Sequence, residues 1–473
     1  MKVSEVLFDV IKDVVFYRDI NDTDMFYAEF ENCNGELTFE SLDSEGFKSF
    51  LLVKSFDYID EYKEVLDPNE SIKTIRCLLL YYKKFQDIDV NVRISGNLTD
   101  FIEYDLQSDD QKSVVITQEG WDIVPKKRKF VTSKASQPQV EPVKTKKSPL
   151  NLLQGFINIF GDSYILLVVW VIQAFLHGSH FILWLLADRG SGKTTLSKII
   201  KRIVDPCKFS VTTIPDKKSD LCVLLNSTHL CCFDNLSHAS VSNDVSDLFC
   251  GAVTGTSVVK RSLYTNCDID VCALHNTLVL NGISYYPERD DIAERMILMH
   301  LKKLDSTALK SEKEMWVEFE KALPEILGSI FNTLSRALNE INNVSKENLP
   351  RMTDAFIEML AIARALDISE EKFREIYNKN QEQLKIARES SPVVTAVKEY
   401  MKKFSYQKIE MYSTKFYNEV FDNFSGDKSL LPGSAAHFSQ KLDKEFNKIL
   451  NSGYRVNIDP TGSKGTKISV IKK

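Results

Sequence analysis

The stretch Leu185-Leu-Ala-Asp-Arg-Gly-Ser-Gly-Lys-Thr-Thr195 decides the fold. An apolar run, Phe181-Ile-Leu-Trp-Leu-Leu186, precedes it and reads as a buried strand. A helical pattern follows, with Leu196, Ile199, Ile200 and Ile203 at spacings of three and four. Between strand and helix sits A-x-x-x-x-G-K-T: Ala187, Asp188, Arg189, Gly190, Ser191, Gly192, Lys193 and Thr194, with Thr195 next. Small residues let successive backbone N–H groups close around a phosphate, and the helix N-terminus adds its positive dipole end. In this reading Lys193 reaches the β- and γ-phosphates of ATP, and the Thr194 hydroxyl ligates magnesium. Ala187 stands where the strict pattern has its first glycine.

Composition sets the outer bounds. A chain of 473 residues is long for one domain and predicts about three. The net charge of −6 excludes a uniformly basic coat for nucleic acid but leaves room for a local basic channel. The nine cysteines are scattered, with Cys231-Cys232 the one adjacent pair and no C-x-x-C, which reads as reduced thiols of a cytoplasmic protein. The opening MKVSEVLFDVIKD is acidic and amphipathic, unlike a secretory signal. The most apolar region, Tyr164–Ala187, is interrupted by His177-Gly-Ser-His180. That leaves too short a run to cross a bilayer, so no membrane role is expected.

Along the chain, residues 1–124 read as an α+β accessory domain. Strands are expected at Phe101–Leu106, Ser113–Thr117 and Trp121–Val124, with a turn at Gln118-Glu-Gly120. Residues 125–148 turn to Lys, Pro, Ser, Thr and Gln without apolar period, and read as a basic linker; Pro125-Lys-Lys-Arg-Lys129 looks like a nuclear localisation signal but fits a solvated linker better. The core is expected over 149–305 and a charged helical subdomain over 306–390. Residues 391–473 show helical patterns near 393–403, 412–422 and 434–450, then strands at Tyr454–Ile458 and Lys467–Ile471 around a Pro460-Thr-Gly462 turn. Three helices and a hairpin is the order of a winged helix. Eight Lys/Arg against three Asp/Glu from Lys441 onward suit DNA, with protein contacts as the alternative.

The rest of a nucleotide site is legible further on. Leu230-Cys-Cys-Phe-Asp-Asn235 reads as a buried strand with Asp234 emerging at its carboxyl end, where an acid would hold magnesium. Asn235 takes the place where many ATPases keep a glutamate; an amide can orient water but cannot take its proton. Thr277-Leu-Val-Leu280 is a third apolar strand, ending in Asn281-Gly282, and Asn281 could meet the γ-phosphate or the attacking water. Arg289 and Arg295 are candidates for an arginine finger, Arg295 the favoured one. A β-hairpin, Gly255–Tyr264 with Asp268–Leu274, lies before the third strand.

Taken together, A-x-x-x-x-G-K-T, F-D-N-L-S (Phe233–Ser237), K-R-S-L-Y (Lys260–Tyr264), L-N-G-I (Leu280–Ile283) and R-D-D-I-A-E-R (Arg289–Arg295) resemble the ATPase core of phage and mobile-element replication proteins. These are superfamily 3-like helicases of the AAA+ class, related to poxvirus-type primase-helicases, and the resemblance covers roughly residues 100 to 473. It implies an α/β AAA+ core with a parallel sheet, a homo-hexameric ring, ATP between subunits, DNA in a central channel and contacts with other replication proteins. Lys260 and Arg261, expected nearer the hairpin base, are the residues it would assign to DNA. The hairpin turn Thr265–Asp268 departs from the pattern in carrying no Lys or His, and residues 1–120 show no primase metal triad. The reading is an ATP- and magnesium-dependent DNA helicase or translocase for a phage or mobile element. Its rivals are an ATP-binding initiator that unwinds nothing and an ATPase that remodels a protein partner, as in mobile-element defence.

Overall fold

The computed structural model describes all residues except 1, 23, 33, 63–64, 109, 187–189, 237–240, 262–268, 283–288, 302–310, 390–391, 426–427, 429–430, 446–452, 461–465 and 473. The chain divides into two compact units, Met1–Ile283 with Glu294–Tyr377, and Ser284–Ala293 with Asn378–Lys473.

The first unit opens with α1 (Lys2–Ile11), β1 (Val15–Asp19), β2 (Phe26–Glu31), β3 (Leu37–Ser41), α2 (Glu45–Phe56), α3 (Ile59–Tyr62), α4 (Pro68–Tyr82) and β4 (Gln86–Ile88). The strands pair in the order β3-β2-β1-β4, antiparallel except for the parallel β1–β4 pair. Alternation puts Phe26, Ala28 and Phe30 of β2 on the buried side, where they meet Val6, Leu7, Phe47, Leu51 and Ile75 from the helices. Asp67 caps α4 by accepting from the Glu70 N–H at 2.8 Å, and Pro68 fits the first turn because its missing donor would be unpaired there anyway.

A second sheet follows as a meander, β5 (Ile94–Ser95), β6 (Ile102–Asp105), β7 (Lys112–Thr117) and β8 (Gly120–Pro125), close to the strands read from sequence. Its apolar face shares one core with the central helices. Trp121 packs on Phe331 and donates its Nε1–H to Asn332 Oδ1 at 2.8 Å. The basic stretch after it is anchored. Lys126 pairs with Asp105 at 3.0 Å, Arg128 with Asp100 at 2.6 Å, Lys129 with Glu29, and Lys147 with Glu325 at 2.9 Å.

The central layer comprises α5 (Pro149–Leu153), α6 (Asp162–Gln173), β9 (Ile182–Leu186), α7 (Lys193–Val204), α8 (Lys218–Asn226), β10 (Leu230–Leu236), α9 (Asn243–Thr254), the hairpin β11 (Thr256–Arg261) and β12 (Ile269–Leu274), and β13 (Thr277–Gly282). After α10 (Asp290–Ala293), which groups with the second unit, come β14 (Met296–His300), α11 (Glu312–Glu340), α12 (Thr353–Ala365) and α13 (Glu370–Glu389). The sheet runs β10-β13-β9-β14, every pair parallel. Its strands are near-continuous apolar runs because helices cover both faces of a parallel sheet. The apolar Leu166–Gln173 stretch is the fully buried part of α6. Among the described residues no helix is long and apolar enough to cross a membrane. Pro324 lies inside α11, and its carbonyl accepts the Val143 N–H at 2.9 Å.

The second unit holds α14 (Pro392–Lys403), β15 (Lys408–Tyr412), α15 (Ser413–Asn423), α16 (Ala435–Lys444), β16 (Tyr454–Pro460) and β17 (Thr466–Lys472). The antiparallel sheet is ordered β15-β17-β16, over a core of Val397, Tyr400, Phe416, Phe438, Ile468 and Val470. The three helices and the hairpin were legible in sequence; β15 was not. It is a short edge strand, and only Ile409 of its five residues is buried, too little for a clear alternation. The expected helix over 434–450 ends at Lys444 among the described residues, and Thr461-Gly462 of the expected turn lies outside them.

Candidate functional site

The end of β9 leads through a short loop into α7, as the apolar run and helical period require. Ala187, Asp188 and Arg189 lie outside the described residues. Gly190 (φ 77°) and Gly192 (φ 84°) hold left-handed backbone, which glycine adopts without steric cost and which turns the chain into the helix. Helix α7 starts at Lys193, so the amides of Lys193, Thr194 and Thr195 belong to its first turn, on the loop side. Ser191 and Lys193 are buried. Leu196, Ile199, Ile200 and Ile203 pack beneath the helix, as their spacing predicts.

Asp234 comes from β10 and meets this helix. The Thr194 hydroxyl donates to Asp234 Oδ2 at 2.9 Å. The Asp234 backbone is fixed by its own N–H donating to the Thr212 carbonyl at 2.8 Å, while Thr212 N–H donates to Cys232 O at 3.0 Å. Thr212 thereby adds a short parallel bridge outside β10, an element with no signal in the sequence pattern. Asn235 is exposed and left-handed (φ 57°), at a shift in the β10–β13 register between Phe233 and Leu236. Its N–H donates to Asp234 Oδ1 at 2.7 Å. The irregularity ends regular pairing where Asp234 emerges, as bulges next to sites commonly do.

Asn281 sits on β13, which lies between β9 and β10. It is in register with Leu185, is buried, and its Nδ2 donates to Ser197 Oγ at 3.4 Å. Ser197 Oγ in turn donates to the Lys193 carbonyl at 3.1 Å, so Asn281 is linked to the first turn of α7. The following Gly282 is required by crowding: a Cβ there would lie 2.5 Å from the Leu236 carbonyl oxygen. Thr194, Asp234 and Asn281 therefore converge, through α7, at the carboxyl end of the parallel sheet.

Of the remaining candidates within the first unit, Arg295 does not join them. The Arg295 carbonyl accepts the Ile182 N–H at 2.7 Å, which places this residue at the start of β9. Four strand rises of about 3.3 Å separate that end from Leu186, so Arg295 stands at the amino-terminal end of the parallel strands, opposite the end where the loop leaves β9. Arg289 belongs to the second unit, where its Nε donates to Asp291 Oδ1 at 3.0 Å. Lys260 and Arg261 are paired in register with Asp270 and Ile269. They form the turnward end of the described ladder, not its base as expected, because the pairs run from Thr256–Leu274 toward the turn. The turn Thr265–Asp268 lies outside the described residues.

The sequence reading missed a buried ionic cluster at the far end of α7. Asp205 accepts from Lys201 Nζ at 2.8 Å and from Arg93 Nε at 3.2 Å, all three with almost no exposure. Asp205 Oδ2 also accepts the backbone N–H groups of His229 and Leu230 at 3.0 and 3.1 Å, and Lys201 donates to the Leu230 carbonyl at 2.6 Å. Burial by itself would raise the Asp205 pKa, but the adjacent Lys201 and Arg93 hold it well below the usual carboxylate range. Helix α7 and strand β10 are thus tied at both ends, by Thr194–Asp234 and by Lys201–Asp205–Leu230. The signal was faint: Lys201 and Asp205 have the i,i+4 spacing of a helical ion pair, and their burial depends on Arg93, far away in sequence.

Residues 151–367 match the model of a family described as the actinomycete integrative conjugative element replication protein. No curated protein matches. Similar solved structures include SCCmec type IV Cch, described as an active helicase (TM-score 0.44, 11% identity, 97% of this chain and 92% of that one). Two others are apo structures of the NrS-1 C-terminal region. One has a TM-score of 0.40 at 12% identity, covering 98% of each chain. The other has a TM-score of 0.38 at 13% identity, again covering 98% of each.

Proposed function

We propose that this chain is an ATP- and magnesium-dependent DNA helicase or translocase serving replication of a phage or mobile element. The observation that carries the reading is the Thr194–Asp234 contact at 2.9 Å, made in the first turn of α7. The two groups are hard oxygen donors, the type magnesium takes, and their separation fits a hydroxyl ligand with a carboxylate holding an adjoining water. Lys193 and the loop amides would bind the phosphates and magnesium would neutralise their charge. Asn281, tied to α7 through Ser197, would orient the attacking water. The interposed β13, between the strand before the loop and the strand of Asp234, suits an AAA+ core. The helix order and three-stranded sheet of the second unit suit a winged helix that binds DNA. The replication-family match over residues 151–367 supports the biological setting. In this reading ATP lies between subunits of a homo-hexameric ring, with Lys260 and Arg261 directed to DNA by the hairpin. Arg295, with Arg289 as the alternative, would supply the finger to the ATP of a neighbouring subunit.

Asn235 favours a second reading, an ATP-binding initiator without unwinding, because its amide cannot serve as a base. ATPase rates with no DNA, single-stranded DNA and double-stranded DNA separate the two. A motor is stimulated by DNA, a switch stays slow in all three, and a protein remodeller hydrolyses ATP at a rate that ignores DNA.

A further inference from the structure

Between α1, α4 and the β1–β4 side of the amino-terminal sheet lies an apolar cleft of about 620 Å³. Phe8, Val15, Phe16, Leu78, Tyr82 and Phe85 contribute its wall. Phe8 is 52% exposed and Tyr82 58%, large values for aromatic side chains on a domain with a complete core of its own. Among the described residues, the charged side chains lining the cleft are Lys12, Lys83 and Lys84, with no carboxylate among them. Among the described residues none of these lysines has an ion-pair partner. Lys83 holds a left-handed conformation (φ 52°) that ends α4 and turns the chain along the cleft mouth, which keeps both lysines there.

We propose that this cleft docks an acidic amphipathic segment of a partner protein, with bulky apolar side chains in the cleft and carboxylates on Lys12, Lys83 and Lys84. Charge complementarity selects this occupant. A second copy meeting the cleft face to face would bring three lysines against three lysines. A bilayer surface is flat, whereas the apolar groups here line a concavity. The inference is independent of the nucleotide site.

The test uses the full chain and a fluorescein-labelled peptide of alternating leucine and glutamate, with a glutamine counterpart, read by fluorescence anisotropy. The acidic peptide is expected to bind with a Kd of about 10 μM. The glutamine peptide, and the K83E/K84E variant with the acidic peptide, are each expected to bind about tenfold more weakly, the loss of a few exposed ion pairs. Phe8→Asp should weaken both peptides. Circular dichroism and DNA-stimulated ATPase of the variants should match the parent, since the substituted residues are exposed and outside the nucleotide site. Equal binding of the two peptides, or no effect of K83E/K84E, overturns the proposal. So does a dimer in sedimentation that the lysine reversal changes, or capture by phosphatidylglycerol vesicles in the absence of any peptide binding.

Discussion

The Thr194 hydroxyl donates to the Asp234 carboxylate at 2.9 Å at one end of α7, while Asp205 at the other end accepts from the Leu230 backbone where β10 begins. Helix α7 and strand β10, which carries Asp234, are therefore tied to each other at both ends. This arrangement sets the expected consequences of mutation.

Lys193→Ala should abolish nucleotide binding, measured with a fluorescent ATP analogue, because the loop loses its mobile positive charge. Asp234→Ala should retain much of that binding yet lose magnesium-dependent turnover. Thr194→Ala should fall between them, keeping binding but raising the magnesium concentration needed for half-maximal rate. Full ATPase activity in Lys193→Ala would end the phosphate-loop assignment.

Asp205→Asn should destabilise the first unit by about 3–5 kcal/mol, the cost of leaving buried Lys201 and Arg93 without their shared carboxylate. Denaturant unfolding monitored at Trp170 and Trp184, both fully buried, would measure it. Lys201→Met in the same background should cost much less than its single effect, since it removes one of the stranded charges. Additive losses would show that the three residues do not act as one cluster.

Stability should also fall with acid in a definite window. Burial pushes His180 down to about 3 and His229 down to about 4, against an ordinary histidine value of about 6.5. His229 Nε2 lies 2.8 Å from the Ala174 carbonyl and is the donor there, while burial keeps the ring neutral. Unfolded histidine binds a proton below about 6.5 while the folded rings do not, so the unfolded state gains protons as pH drops. Unfolding free energy is then complete above about 6.5 and decreases between about 6.5 and 4, by about 1.4 kcal/mol per histidine per pH unit. Urea midpoints at pH 7, 6 and 5 should decline, and His229→Asn should flatten the decline. A flat profile in the parent protein would contradict the buried neutral state.

If the ring reading holds, Arg295→Ala keeps ATP binding but lowers hydrolysis by about three to five orders of magnitude. Mixed with Lys193→Ala, it should recover part of the activity, because some neighbours then combine one intact half-site from each chain. Arg289→Ala provides the parallel arm. A chain that stays monomeric with ATP and DNA while hydrolysing at full rate would sink both finger and ring.

Removing residues 391–473 should weaken DNA binding, and the difference from the full chain should be larger at low salt, since Lys and Arg contacts with phosphate are driven by counterion release. Affinities measured across a salt series would show this as a shallower slope for the shortened chain. Identical slopes would assign the second unit to protein contacts.

Pieces whose signals are local could be read from the chain alone. An apolar run, two left-handed glycines and a three-and-four spacing specify strand, loop and helix around Lys193, since each depends on neighbours within a few residues. Asp234 at the end of an apolar run was legible for the same reason, as were the meander strands and the three helices and hairpin of the second unit. Tertiary structure decided what non-local pairing controls. Only sheet hydrogen bonding puts β13 between β9 and β10, and only then is Asn281 linked to Lys193 through Ser197. The same pairing sets Arg295 at the amino-terminal end of β9, a placement that its position in the chain just after the other motifs did not reveal. The buried charges are the clearest case. Lys201 and Asp205 read as an ordinary surface pair on a helix, and Arg93 lies 112 residues from Asp205. A charge can be buried only where partners replace its water, and those partners exist only once the meander, α7 and β10 have been brought together.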